Sequence, residues 1–438
     1  MILIYSPEEN SRITWAFDLI FRQLLGLDYR LTTFPDELIH SDGPRLNYSF
    51  RTIPDVPFIE ASGLLFEREI RDQSARLIPG QPWDGLPTIF ATEKNQSDLP
   101  FDLFSAIFFF VSRYEEYLPY EPDQHHRFRS TESLAYHLDI LGQPIVNQWA
   151  IAFRTTLESW YPGALDFHPP AYRFIPTIDV DNAWAYAHKG IRRTIGGLWR
   201  DRQSMEARNF RFQVLRNNQP DPYNTYELLN RFHAMAGVEP VWFFLVGSYG
   251  HFDKNISPEN THLQSLIRSI AEKHCVGLHP SYASNSSHAI IGREADRLSH
   301  ILGKPVTCSR QHYLRIHLPE TYRALAHLGI RADYSMGYAD CPGFRAGIAS
   351  PFPFFDLEEN KITDLTIYPF QVMDTSLQRY LRLDPDQAIR KIALLVNQVK
   401  AVGGTFISLW HNESLSEWKD WRGWSKVYQE LLNLAKPE

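Results

Sequence analysis

The run RFIPTIDVDNAWAYAHKG at residues 173–190 ends an apolar stretch in two aspartates one residue apart. A strand alternates faces with a period of two, so Asp179 and Asp181 project from one side, where like charges repel unless something positive neutralises them. Other apolar runs end in basic or acidic side chains: His279 closes CVGLH, Arg310 and His312 stand in SRQH, Asp333 in RADY, and His411 closes GTFISLWH. Two carboxylates facing two or three imidazoles suit a divalent metal of the zinc type, which takes nitrogen and carboxylate ligands and leaves a position for water. One aspartate would bind the ion and the other would act as general base on the metal-bound water, with Arg310 assisting. A plainer role exists for each residue. DVDN is also good N-cap material, and either histidine alone could be an ordinary strand-end or core residue. Capping uses one aspartate and not two, and the recurrence of such residues at successive strand ends favours chemistry.

The elements that must position these groups follow an alternating pattern. From about residue 166 onward, apolar strand and helix alternate, which argues for parallel strands with helical crossovers. Seven strand candidates occupy 174–181, 240–246, 275–279, 305–312, 330–335, 364–370 and 404–411. A helix candidate at 319–329 opens near a proline and closes with a glycine. A closed or nearly closed barrel is the expected architecture, with its chemistry at the carboxyl rim. The first 165 residues mix short strand-like runs with amphipathic helices, the last at 144–161, and PGALDFHPPAYR reads as a linker. The expected division is therefore an N-terminal α+β domain over 1–165 and a barrel over 166–438.

Composition limits the partners. A net charge of −7 without any lysine or arginine block makes nucleic acid an unlikely ligand. The apolar run at 101–117 falls short of the roughly 20 residues that cross a bilayer and carries Arg113, Glu115 and Glu116, so it reads as a packed helix. The amino terminus lacks the basic start and long apolar run of a signal peptide. Three cysteines without metal-ligand spacing read as free thiols in a reducing compartment, and the cytoplasm is the expected location.

Taken together, TIDVD, GLHPSYAS, RQHY, ADYSMGY and SLWHN resemble the five motifs of the polysaccharide deacetylases of the NodB-homology type, in carbohydrate esterase family 4 and its relatives. The resemblance covers about residues 174–415 and implies a distorted barrel of seven strand and helix units. It implies Asp179 as base, Asp181 and His279 as metal ligands, Arg310 bracing the base and the Tyr313 amide donating to the oxyanion. Asp333 would orient the arginine and His411 would be the general acid. The family's second motif normally carries another histidine four residues after the first, where this chain has Ala283. Either the site is weakened or another residue supplies the nitrogen. His312, sharing a strand face with Arg310, is the candidate, and Ser281 or water could serve instead. SRYEEYLPYEPDQHHRF and LGQPIVNQW in the N-terminal part resemble a domain of unknown function that precedes such domains in some bacterial proteins.

Trp184, Tyr338 and Trp410, together with Tyr186, form a candidate sugar-stacking wall, although aromatic residues serve more often in packing. Arg345 in PGFRAG either contacts substrate or pins its glycine-rich loop. The cluster Arg113, Glu115, Glu116, His125 and Arg127 could hold a glycan or brace the fold. The expected function is removal of an N-acyl group, an acetyl, from a sugar or glycan precursor by a metal-dependent hydrolase with a zinc-type ion. The alternatives are a catalytically impaired barrel that binds glycan or scaffolds surface-polysaccharide assembly, and a hydrolase of non-sugar amides. Oligomeric state is not legible.

Overall fold

Within the apolar run at 101–117, residues Leu103–Val111 form a helix with every side chain buried. Asp102 caps it, accepting from Ser105 N at 3.0 Å, while its second oxygen takes the Ser62 amide at 2.7 Å and the Tyr48 hydroxyl at 3.1 Å. The computed structural model describes residues 1–92 and 97–437. These fall into two compact units: Met1–Arg173 with Gly343–Pro369 and Asn397–Thr405, and Phe174–Pro342 with Phe370–Val396 and Phe406–Glu438. Among the described residues no helix is long and apolar enough to cross a membrane.

The capped helix belongs to the first unit, where Phe104 packs on Phe17 and Tyr48 with ring centroids 4.7 and 4.9 Å apart. That unit's first sheet runs in the order Tyr29–Thr32, Ile2–Tyr5, Arg45–Ser49, Phe58–Glu60, and every pairing is parallel. The segregated strands and helices of an α+β layer are therefore not what forms here. Crossover segments that include the helices Ser11–Phe17 and Pro35–Ile39 return the chain to the same end of the sheet between successive strands.

In the second unit seven strands lie in the order Ala332–Asp333, Cys308–Ser309, Cys275–Leu278, Val241–Phe244, Arg173–Val180, Thr405–His411, Val372–Met373. The registers are parallel from Ala332–Asp333 through to Arg173–Val180, and again between the last two strands. Packing on the inner strands is tight. A Cβ at Gly277 would lie 2.6 Å from the Phe243 ring and 2.7 Å from Cys308 Sγ, so only glycine fits. Beside the two outermost strands, Phe370 N donates to Met336 O at 3.0 Å. Two expectations change. The strand sought at 364–370 is Lys361–Ile367, which pairs antiparallel with Phe352–Asp356 in the first unit, and the strand beside Thr405–His411 is Val372–Met373. The reason is turn chemistry: Asp356 accepts from the amides of Glu358 and Glu359, and Asn360 takes a φ of 46°, which closes a hairpin. The strands at 305–312 and 330–335 also contract to two residues each, Cys308–Ser309 and Ala332–Asp333.

Arg345 lies in the first unit, is 2% exposed, and places its Nη2 2.6 Å from Glu116 Oε2. Arg113 meets the same carboxylate at 2.7 Å and donates to the Arg345 carbonyl, so of the two roles considered for Arg345 the geometry gives loop pinning. Burial opposes ionisation of Glu116, but Arg345 and then Arg113 outweigh it and hold the carboxyl down to about 2. A depressed carboxyl contributes stability that is present above its unfolded value of about 4.5 and is lost as the pH falls towards its folded value of about 2. Arg345→Met should destabilise the protein by roughly 3–5 kcal/mol, because it leaves Glu116 buried beside a single cation. Urea unfolding at neutral pH checks this, and in acid titrations Glu116→Gln should lack the part of the stability loss that falls between those two pH values.

Candidate metal centre

Parallel strands carry their carboxyl ends to one rim, and the backbone ladder fixes each side chain there. Asp179 stands in register with Phe243; His279 N donates to Phe244 O at 3.0 Å, and Arg310 N donates to Leu278 O at 2.9 Å. His411 ends the strand Thr405–His411. Asp181, one residue past the strand Arg173–Val180, meets three imidazoles: its carboxylate oxygens lie 3.0 Å from His279 Nε2, 3.4 Å from His312 Nε2 and 3.8 Å from His411 Nε2.

The donor set fits a zinc-type ion. The ligand atoms of Asp181, His279 and His312 all lie within 4.8 Å of one another. Ligand atoms on a tetrahedral zinc with bonds near 2.1 Å stand about 3.4 Å apart. None of these contacts has hydrogen-bond geometry, and Asp181 Oδ1 is buried with no hydrogen-bond partner. Each imidazole is oriented from behind. His279 Nδ1 donates to the Arg310 carbonyl, and His312 Nδ1 donates to Asp253 Oδ1 at 2.8 Å, so both Nε2 atoms face Asp181. Outer acceptors of this kind fix the tautomer and raise ligand basicity.

The charges agree with this geometry. Burial alone would raise the Asp181 carboxyl, yet His312, followed by His279 and His411, holds it well below the usual carboxylate range. Burial likewise opposes a proton on His312, but Asp181 and Asp253 carry that ring to about 9, so an ion entering at neutral pH displaces a proton. His411 is raised to about 10, burial being overcome chiefly by Asp374, whose oxygens lie 2.9 and 3.1 Å from Nδ1. Asp374 thus favours the charged form of this ring.

Asp179 is 2% exposed, with Oδ2 3.7 Å from His279 Nε2 and Oδ1 3.5 Å from Arg310 Nη1. That Oδ1 has no hydrogen-bond partner, nor has any nitrogen of the Arg310 guanidinium, which sits over the Phe243 and Phe370 rings at 5.0 and 5.4 Å. Tyr313 follows His312 with its ring 4.7 Å away and takes a left-handed φ of 61°.

The remaining expected residues lie elsewhere. Asp333 does not hydrogen-bond Arg310: its carboxylate accepts from Ser309 Oγ, Ser335 N and Ser335 Oγ at 2.8 to 2.9 Å, because the adjacent strand end supplies nearer donors. Trp410 is fully buried and packs on Tyr428 at 5.4 Å, since alternation on Thr405–His411 turns it away from the face of His411. It is a core residue and not part of a sugar wall. Tyr338 is buried at 2% exposure, and Trp184 packs edge-on against His188 at 4.7 Å. Asp253 and Asp374 were not anticipated. Each imidazole requires an acceptor behind it, but Asp253 stands in a loop without periodicity and Asp374 follows the strand Val372–Met373, which was expected at 364–370, so only the necessity of an acceptor was legible. The amide of Ala283, at the position of the absent histidine, donates to Asp253 at 3.4 Å, beside the stronger Tyr282 amide at 2.8 Å.

A family model described as "Family of unknown function (DUF7033)" matches residues 2–162. No curated protein matches the chain. Among solved structures the chain is similar to one described as a polysaccharide deacetylase from Mycobacterium smegmatis, at 16% identity and a TM-score of 0.41, covering 60% of this chain and 83% of that one. It is also similar to Puue allantoinase, at 12% identity and a TM-score of 0.37, covering 61% and 88%. A polysaccharide deacetylase from Bacillus cereus shares 13% identity at a TM-score of 0.30, with 60% and 85% covered.

Proposed function

We propose that the chain is a metal-dependent hydrolase that removes an N-acyl group, an acetyl, from a sugar or glycan precursor, and that the second unit works as a distorted seven-stranded barrel. The observation that supports this best is the convergence of Asp181, His279 and His312, with the far nitrogen of each imidazole already committed to an acceptor. The five motifs support the choice of an acyl group on a sugar amide. The odd number of thiols supports a reducing, cytoplasmic setting.

When bound, a zinc-type ion supplies a Lewis acid and a water of lowered pKa. Asp179 then takes the proton of the attacking water. Its Oδ1 has no competing hydrogen bond, and the Arg310 guanidinium lies 3.5 Å from it. The Tyr313 amide donates to the developing oxyanion. His411, charged and held by Asp374, protonates the departing amine. Asp333 acts on Arg310 only through its field.

Asp179→Asn should abolish turnover of an N-acetylated sugar and retain zinc, because it removes a proton acceptor and leaves Asp181, His279 and His312 in place. Activity assays together with metal analysis check this, and full activity in the variant would assign the base elsewhere.

Zinc titration addresses the ligand set. The wild type should bind about one equivalent, Asp253→Asn should bind roughly 10- to 100-fold more weakly, and His312→Ala more weakly still. Unchanged affinity in His312→Ala would remove that residue from the set. A metal-free wild type that still binds glycan would instead be a binding or scaffold module, and turnover of small cyclic amides in preference to sugars would move the substrate class.

A further inference from the structure

Beside the rim, the second unit encloses a cavity of about 430 Å³, within the range of roughly 300–1,000 Å³ usual for ligand pockets. Its lining carries five cations, Lys189, Arg193, Arg211, Lys254 and Lys419, against one carboxylate, Asp201. The chain as a whole carries a net charge of −7, so this concentration runs against its composition. The single carboxylate is already used: Asp201 Oδ2 lies 2.7 and 2.8 Å from two nitrogens of Arg211.

Lys189 and Arg193 are satisfied only by neutral oxygens. Arg193 donates to the carbonyls of Asn255 and Lys254 at 2.7 and 2.8 Å and stacks over Tyr249 at 4.4 Å. Lys189 Nζ lies 3.0 Å from the side-chain amide of Asn182, and the oxygen faces it once that amide is turned over to satisfy both of its atoms. Neither forms an ion pair among the described residues. Burial, and then Arg193, pull the Lys189 ammonium down to about 8, and the more distant charges of Asp221 and Glu413 do not make up for it. The loop is also pinned: Asp221 accepts from the successive amides of Ala185, Tyr186 and Ala187 at 2.7 to 2.9 Å, which fixes where Lys189 emerges. Asn182, which lines the cavity, is the next residue after Asp181, so the cavity and the candidate metal centre share one backbone segment.

We propose that this cavity is a phosphoryl-binding subsite, and that the substrate is an N-acylated sugar bearing a phosphate or diphosphate. The proposal rests on the hydrolase reading for the sugar but not for the anion. A carboxylate is best met by one forked arginine, and the arginine most enclosed here is already occupied by Asp201. Cations that converge on one cavity with neutral partners only, Lys189 and Arg193 among them, match a group with up to two negative charges and three acceptor oxygens. A nucleic-acid surface would spread its cations along a face, whereas these gather in one cavity.

The test separates the anion from the chemistry. Full-length protein, stripped of metal and dialysed, is titrated with inorganic pyrophosphate and with orthophosphate. Saturable binding is expected that weakens with added salt, falls roughly ten- to a hundredfold in Lys189→Gln and in Arg193→Gln, and is unchanged in Asp181→Asn. Thermal melting shows that the variants fold. No binding, or equal binding by wild type and both folded variants, overturns the proposal.

The zinc-loaded protein is then assayed on an N-acetylhexosamine, its 1-phosphate, its nucleoside-diphosphate derivative and a neutral chitooligosaccharide. A preference in kcat/KM for a phosphorylated substrate, lost in Lys189→Gln, supports the substrate class. Preference for the 1-phosphate or for the diphosphate identifies the source of the phosphoryl group. Equal or better turnover of the neutral sugars overturns the class and leaves the hydrolase standing. Pyrophosphate binding without hydrolysis of any amide keeps the anion subsite and counts against the hydrolase.

Discussion

Two carboxylates on one face of a buried strand repel one another, and the rim of the second unit is arranged to answer that repulsion. Asp179 is given a guanidinium at 3.5 Å and Asp181 three imidazoles within 3.8 Å. The division is unequal in kind. Arg310 cannot lose its charge, so Asp179 sits beside a fixed cation. An imidazole is not fixed in charge, so Asp181 sits beside groups of a different kind, which with it make a cluster that could hold a metal ion. Two aspartates a single residue apart are thereby prepared for different work by what the neighbouring strands bring to them.

The same logic reaches a layer further out. An imidazole that offers one nitrogen inward must satisfy the other outward, and two of the rings, His312 and His411, each lean on an aspartate, Asp253 and Asp374. His279, held on a strand end, leans on a backbone carbonyl instead. A charged acceptor favours the cationic ring when no ion is bound and fixes the tautomer when one is. Ala283 does not leave a gap in this scheme. Its amide joins that of Tyr282 in supporting Asp253, so the segment that lacks the histidine still braces His312 through that carboxylate.

How much of this the chain disclosed depended on periodicity. Asp179, Asp181, His279, Arg310 and His411 were legible because each closes an apolar run, and parallel strands bring such ends together. Asp253 was not, because a loop residue announces neither its direction nor its partner, and Asp374 was not, because the strand it follows, Val372–Met373, was expected at 364–370. Trp410 was misjudged for a related reason: its place next to His411 suggested a shared site, while strand alternation sends neighbours to opposite faces. The run at 364–370 was recognised as extended, but its partner was not, since the hairpin depends on the turn that Asp356 and Asn360 make. Arg345 allowed two readings in the sequence, and only the position of Glu116, 229 residues earlier, separates them.

That distance bears on how the protein is made. The first unit draws on Met1–Arg173 but also on Gly343–Pro369 and Asn397–Thr405. During synthesis its phenylalanine-rich helix Leu103–Val111 leaves the ribosome more than two hundred residues ahead of the hairpin Phe352–Ile367. At a translation rate of about 5–20 residues per second, the nascent chain holds that apolar surface for roughly ten seconds or longer before its last strands arrive. The amino-terminal segment is thus a natural client for chaperones on the ribosome, and a gene cut at any one point between the units would yield a first unit that is never whole.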